Sequence, residues 1–328
     1  MIKLGIRVAN SINSGRGHFE RCFSISNNIN QKIIWLLDYK NKIFEDRVLK
    51  KDQIFYENDI NELKLSKSLI DSGKINFLLI DSYNLNIKDI IYITKKIPVC
   101  SFQDKNNLLP VQMVICPHPI VFKIKKGTIS LNGPRYAPIT NSLVKNKKKY
   151  NGSKINILVS MGAYDSLGVT LNVLKAINKI IIEKKLQIQI TIVLAKGSPI
   201  VEEVVEFIKN KINFKLVLDV KDMSEIYNNN NIAIGAPGVS HLERMYMGLP
   251  TILIAQNKIH KILIEKWDKL GCAIKAKNIV NEIKTKILYM IENKNLRKEL
   301  IRNGRKSVDG KGSLRIAKSI LKFNKKYD

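Results

Sequence analysis

Four short segments hold residues whose types and spacing suit chemistry on an anionic ligand. The first is Ser14-Gly15-Arg16-Gly17-His18-Phe19-Glu20-Arg21-Cys22, directly after an apolar opening run. Glycines between a strand and a helix let the backbone approach a ligand, and the helix start offers N–H groups to an anion. A dinucleotide fingerprint is excluded, because Glu20 stands where its last glycine belongs. His18, in the first helical turn, is either an acid–base group or a plain helix cap. The second segment is Ile80-Asp81-Ser82-Tyr83-Asn84-Leu85. It ends an apolar strand, where doubly wound sheets bind ligands; on the residues alone, a turn capped by Asp81 is the simpler reading. The third, Ser160-Met161-Gly162-Ala163-Tyr164-Asp165, again places small residues between strand and helix. The fourth runs from Ile234 through Gly235-Ala236-Pro237-Gly238-Val239-Ser240-His241-Leu242-Glu243-Arg244 to Gly248-Leu249-Pro250. Its helix start suits a diphosphate, with Ser240 as a further donor, and Glu243 one turn later can accept the hydroxyls of a ribose. Two such glycine–helix segments in one domain favour nucleotide binding over plain connections.

These segments need parallel strands to position them. Apolar, β-branched runs at 2–8, 33–37, 77–80, 98–102 and 113–116 read as strands buried on both faces, with helices at 17–28 and 59–72. A polar, basic, Gly/Ser-tipped stretch at 144–154 reads as a linker. The alternation then restarts, with strands at 155–161, 188–195, 214–218, 232–234 and 250–254. Helices fall at 166–183, 199–209, 222–228, 239–247 and 258–270, and a packed helix at 313–322 ends the chain. The expected organisation is α/β throughout. Residues 1–142 form one domain, 143–154 a linker, 155–310 a nucleotide-binding domain, and 311–328 a terminal helix that can return to the first domain.

Composition narrows the classes. At 328 residues and 45% hydrophobic, the chain is too apolar for disorder and long enough for two cores. Lys and Arg total 56 against 28 acidic residues, a formal net charge of +28. Only ten of the 56 are arginine, and aromatics make up 7%, whereas nucleic-acid surfaces favour arginine forks and stacking rings. No nucleic-acid partner is expected; an anionic small substrate, or loose contact with an acidic membrane surface, fits the charge. No apolar run approaches transmembrane length and no signal peptide is visible, so a cytoplasmic location is expected. The four cysteines are scattered singly and read as reduced, buried thiols. No His/Cys/carboxylate set has metal-ligand spacing. His118 reads as a turn residue, and His241 and His260 as surface or site-edge residues.

In order, the four segments resemble the UDP-sugar hydrolases of pseudaminic acid biosynthesis, which release UDP from UDP-2,4-diacetamido-2,4,6-trideoxy-β-L-altropyranose. That superfamily also holds spore-coat polysaccharide proteins and the GT-B glycosyltransferases that add N-acetylglucosamine in murein synthesis. The resemblance rests on Arg7, Gly15-x-Gly17-His18-x-x-Arg21-Cys22, Asp81-x-Tyr83-x-Leu85 and Gly133-Pro134-Arg135-Tyr136. It continues through Gly162, Asp165 and Thr170, then Gly235-x-x-Gly238-x-Ser240-x-x-Glu243-Arg244-x-x-x-Gly248-Leu249-Pro250, and ends at Asn257. The chain departs from the family pattern at Ala9-Asn10, Gln103-Asp104, Ala163 and Lys258.

The resemblance implies a GT-B-like fold, two doubly wound Rossmann-like domains facing a cleft, and no metal or other cofactor. The implied reaction hydrolyses a UDP-linked deoxy acetamido sugar, water attacking the anomeric carbon with inversion. It places His18 as the base, with Tyr83 and Asn257 beside the sugar. Gly15, Gly17 and Arg21 fall on the sugar and phosphate side, and Gly162, Gly238, Val239, Ser240 and Glu243 on the nucleotide. A GT-B glycosyltransferase using a UDP-sugar donor is the alternative, and a non-catalytic anion-binding protein with a basic surface is the reading from another class.

Overall fold

The computed structural model describes residues 2–9, 17–40, 42–57, 63–82, 86–104, 108–146 and 155–324. The chain divides into two compact units, Met1–Thr140 with Gly310–Asp328, and Asn141–Asp309. Of the linker expected at 143–154, residues 147–154 lie outside the described residues.

In the first unit strands and helices alternate: β1 (Leu4–Val8), α1 (Gly17–Ser26), β2 (Ile33–Leu37), α2 (Lys42–Glu45), β3 (Gln53–Tyr56), α3 (Lys64–Asp71), β4 (Phe77–Asp81), α4 (Ile87–Thr94), β5 (Val99–Phe102), β6 (Met113–Cys116) and β7 (Ile129–Asn132). The seven strands form one sheet in the order β3-β2-β1-β4-β5-β6-β7. Every pairing is parallel. Every residue of β1, β2, β4, β5 and β6 is buried, which is why these runs are apolar without alternation. β3 and β7 are the edges and only partly buried, so they lack that signal; β3, β7, α2 and α4 have no counterpart among the elements expected from sequence.

The second unit repeats the design: α5 (Asn141–Lys145), β8 (Asn156–Ser160), α6 (Val169–Lys184), β9 (Gln189–Leu194), α7 (Val201–Ile208), β10 (Phe214–Leu218), α8 (Ser224–Asn228), β11 (Ile232–Gly235), α9 (Val239–Met247), β12 (Thr251–Ile254), α10 (Lys258–Lys269), β13 (Ile274–Ala276), α11 (Val280–Glu292) and α12 (Lys294–Ser307). Its parallel sheet runs β10-β9-β8-β11-β12-β13. Residues 277–307, to which no element is assigned from sequence, form α11 and α12. The helical signal there is Ile283, Ile287 and Met290, which join the core with Val173, Ile177 and Ile180 of α6.

The last helix, α13 (Gly312–Asn324), belongs to the first unit. Its Ile316, Ala317 and Ile320 are fully buried with Phe19, Cys22 and Ile25 of α1. Ser313 and Ser24 share a hydroxyl–hydroxyl bond of 2.6 Å, and Ser24 also reaches the Ile139 carbonyl at 2.6 Å. The first helical position must be glycine, since any Cβ on Gly312 would drive into the Ala137 backbone.

In each unit the strand order reverses beside the first strand, between β1 and β4 and between β8 and β11. Such switch points are where open parallel sheets bind ligands, at the carboxyl ends of the strands.

Candidate functional site

At the first unit's switch point, Val8 ends β1 in register with Asp81, the last residue of β4. α1 begins at Gly17, and its positions 18, 21 and 22 share one helix face. That face meets Asp81. His18 Nδ1 lies 2.6 Å from Asp81 Oδ1. Arg21 engages the same carboxylate with two nitrogens, Nε on Oδ2 and Nη2 on Oδ1, the latter at 2.5 Å. Arg21 Nη2 also donates to Asp104 Oδ2 at 2.8 Å, just past β5, and the guanidinium lies 4.0 Å above the Phe102 ring. His18, Arg21 and Asp81 are 5%, 3% and 1% exposed, so this charge cluster is desolvated and held by paired hydrogen bonds.

The cluster fixes the imidazole. A contact of 2.6 Å to a carboxylate oxygen needs a proton on Nδ1, so Nδ1 donates to Asp81. In that tautomer the ring's acceptor nitrogen is Nε2, and Asp81 sets the orientation of the imidazole. Burial alone would push the Arg21 guanidinium down, but Asp104 and Asp81 more than offset it and hold the group above its ordinary value. Burial, aided by Asp81, pushes the Cys22 thiol well up, so Cys22 is no nucleophile here. The four cysteines are all buried and reduced.

Asp81 is therefore not the helix cap that the residues alone favour. Its partners lie 60 and 63 positions away in sequence and meet it only through the parallel β1–β4 pairing. Arg7, one residue before the end of β1, is fully buried between Asp38 and Glu57, which follow β2 and β3. Glu57 in turn accepts from the Ser66 N–H at 2.9 Å and its hydroxyl at 2.6 Å, tying α3 to these strand ends. Gly15 and Tyr83 lie outside the described residues; Gly17 is the exposed first residue of α1.

At the second unit's switch point, Ser160 of β8 pairs in register with Gly235 of β11. Gly162 follows β8 with φ +100°, a conformation suited to glycine. Asp165 caps α6, accepting the Val169 and Thr170 N–H groups at 3.2 and 2.7 Å. It also receives the Gln256 amide at 2.6 Å, which links this loop to the one after β12. From Gly235, the last residue of β11, Ala236-Pro237-Gly238 turns into α9, whose first turn has no side-chain cap. Gly238, Val239 and Ser240 are half-exposed there. A Cβ on Gly235 would sit 2.5 Å from the Ser160 carbonyl oxygen and 2.6 Å from Arg244 Nη1, so the strand-end turn requires glycine. Arg244 is fully buried and braces the turn through an Nη2 bond of 2.6 Å to the Ala236 carbonyl; burial lowers its pKa.

Glu243 is half-buried one turn into α9, and the Tyr227 hydroxyl donates to its Oε2 at 2.8 Å. Tyr227, on α8, is absent from the residues singled out by sequence; nothing local marks it. Asn257 is exposed, and its side chain caps α10 by accepting the His260 N–H at 2.8 Å. His260 is half-buried in that turn, and burial lowers its pKa. The surface position expected for His241 is wrong. It is fully buried, its ring edge-on to Trp267 with centroids 5.3 Å apart, because α9 turns that face to the core. Among the described residues no group of three or more His, Cys, Asp or Glu could hold a metal ion, and no helix is long and apolar enough to cross a membrane.

Set against known proteins, this geometry has a consistent setting. No family model matches the chain. It is 24% identical over 285 residues to the uncharacterized protein MJ1062 of Methanocaldococcus jannaschii, a match covering 79% of the chain. The match spans only 57% of that archaeal relative's length. A second relative, the spore coat polysaccharide biosynthesis protein SpsG of Bacillus subtilis, is 23% identical over 336 residues, covering 95% of this chain and 96% of SpsG. Among solved structures, MnaA of S. aureus, in a co-structure with UDP, superposes with a TM-score of 0.71 at 12% identity, over 99% of this chain and 97% of that one. MurG of Acinetobacter baumannii gives 0.66 at 14%, over 97% and 99%. The fold is GT-B.

Proposed function

We propose that this protein is a UDP-sugar-processing enzyme that hydrolyses a UDP-linked deoxy acetamido sugar to UDP and the free sugar, in the manner of nonulosonic acid biosynthesis. The observation that carries the reading is the His18–Asp81 pair, a buried imidazole locked by a carboxylate at a strand-order switch point. The ligand class is in keeping with the UDP held by the structural neighbour MnaA and with the polysaccharide role in the name of SpsG.

In this reading His18 Nε2 accepts a proton from water as its oxygen attacks the anomeric carbon. The bond from that carbon to the UDP oxygen breaks, and the electron pair leaves with the diphosphate. Asp81 stabilises the imidazolium that forms, which is the work of the orienting carboxylate in a hydrolytic triad. UDP needs little protonation to leave; the N–H groups opening α9 and the Ser240 hydroxyl meet its charge. Glu243 takes the ribose hydroxyls, and Gly162 leaves room for the backbone to approach the nucleotide. Asn257 retains its amide N–H donors for the sugar while its oxygen caps α10.

The same groups serve a glycosyltransferase if an acceptor hydroxyl replaces water, and the likeness to MurG favours keeping that second reading. A panel of UDP-sugars separates them, scored for UDP and free sugar with and without acceptor alcohols. UDP release at full rate in water alone supports hydrolysis; release that requires an acceptor supports transfer. No turnover of any UDP-sugar sinks both, and a steep salt dependence of nucleic-acid binding would then favour an anion-binding protein.

A further inference from the structure

Tyr227 lies in the five-residue helix α8, 16 positions before Glu243, and is 3% exposed. Its hydroxyl donates to Glu243 Oε2 at 2.8 Å. One buried phenol thus holds the side chain that the proposed function assigns to the ribose. Burial first, and then the neighbouring Glu243 charge, push the Tyr227 pKa far up, so the group stays a neutral donor across working pH.

The chemistry of the carboxylate gives this contact a consequence. A glutamate on a half-exposed helix face has three side-chain torsions, and reading a ribose cis-diol requires the carboxylate in one plane. The Tyr227 bond uses one lone pair of Oε2 and fixes that plane. We propose that Tyr227 is a positioning residue for nucleotide selectivity: by holding Glu243 it lets the site distinguish ribonucleotides from 2′-deoxyribonucleotides. This rests on the assignment of Glu243 to the ribose.

The test is calorimetric titration of the full-length protein with UDP and with 2′-deoxy-UDP, for wild type, Tyr227→Phe and Glu243→Ala. The wild type should prefer UDP. Tyr227→Phe should lose about fivefold to tenfold in UDP affinity, the scale of one hydrogen bond, and 2′-deoxy-UDP, which keeps only the 3′-hydroxyl for Glu243, should lose clearly less. The preference therefore collapses, as it should in Glu243→Ala. A merely structural phenol would weaken both ligands alike, and that result overturns the proposal. So does a Tyr227→Phe protein that keeps the wild-type ratio while Glu243→Ala loses it, an outcome that leaves the ribose assignment standing. A wild type that binds UDP and 2′-deoxy-UDP equally, or neither, overturns both. Should Tyr227→Phe not fold, Tyr227→His and Tyr227→Leu take its place: the first keeps a ring N–H donor and should retain more of the preference than the second, and equal ratios in the two count against the proposal.

Discussion

His18 and Asp81, 63 residues apart, meet at 2.6 Å because β1 and β4 are register partners at the centre of a parallel sheet. The helix carrying the imidazole follows one strand, and the carboxylate ends the other.

If His18 is the base, its removal should be felt in turnover and hardly in nucleotide binding, since the groups assigned to UDP lie in the second unit. General base catalysis typically contributes 10²–10⁴-fold, so His18→Asn should cut kcat on a confirmed substrate by about that much. UDP affinity by calorimetry should stay within about twofold of wild type, well below the effect of one lost hydrogen bond to a charged group. A kcat loss under roughly fivefold demotes His18 to a structural helix residue.

Asp81→Asn separates orientation from bulk. The amide can donate to Nδ1 and so favours the tautomer with the proton on Nε2, which cannot act as a base. Turnover should fall by on the order of 10²–10⁴-fold with little change in shape. Arg21 also loses its bidentate partner. Breaking a buried pair costs about 3–5 kcal/mol. The loss here should lie below that range, because Asp104 still holds Arg21. Thermal unfolding measured alongside kcat checks both. Unchanged turnover with lowered stability would leave Asp81 a purely structural partner of Arg21.

The sequence shows the fold wherever a strand is covered on both faces. β1, β2, β4, β8, β11 and β12 are short apolar runs closed by turn residues, and their alternation with helices already implies two parallel sheets. It is silent at the edges of the first sheet, where β3 and β7 are half-exposed and mix Gln, Ser and Asn with their apolar residues, whereas β10, an edge of the second sheet, is legible from its apolar run. The glycine turn before α9 is legible because backbone geometry demands glycine at Gly235. The roles of Asp81 and Tyr227 are not, since each depends on a partner brought close by tertiary pairing. His241 misleads for a related reason: it adjoins a ligand-type motif but lies on the core face of its helix.

Glu243→Ala removes the proposed ribose acceptor and leaves the Tyr227 hydroxyl without that partner. UDP binding should weaken by on the order of 1–3 kcal/mol, the scale of losing hydrogen bonds to a charged group. Calorimetric titration with UDP is the direct measurement, with circular dichroism to confirm the fold. Wild-type affinity in a folded variant removes Glu243 from the site.

His260 gives a pH dependence of known sign. Its folded pKa is lowered by burial in the turn after β12, while the unfolded chain titrates near its ordinary value of 6.5. The unfolded state therefore binds more protons in the window just below 6.5. Stability contributed by the neutral ring is present above that value and is lost as pH falls through the folded pKa. Melting curves between pH 7.5 and pH 5 should show His260→Gln less sensitive to acid than wild type across about that interval. Parallel curves for the two proteins would mean that the ring is as easily protonated folded as unfolded.

Gly235→Ala probes whether the turn into α9 tolerates any side chain. Gly235 lies in register with Ser160, and a methyl there would sit 2.5 Å from the Ser160 carbonyl oxygen and 2.6 Å from Arg244 Nη1. The carbonyl belongs to a central strand and cannot swing away without breaking the β8–β11 pairing. Arg244 is fully buried and anchored on Ala236, so it has little room to retreat. Overpacking of this kind typically costs about 1–3 kcal/mol, equivalent to a fall in Tm of several degrees for a domain of this size. The strain falls at the start of α9, so UDP affinity should drop together with Tm. Gly238→Ala is the control: a Cβ at Gly238 meets nothing within 4 Å, and its backbone is extended, so its Tm should stay near wild type. Equal melting temperatures for Gly235→Ala and Gly238→Ala would show that β8 and β11 give way more easily than their register implies.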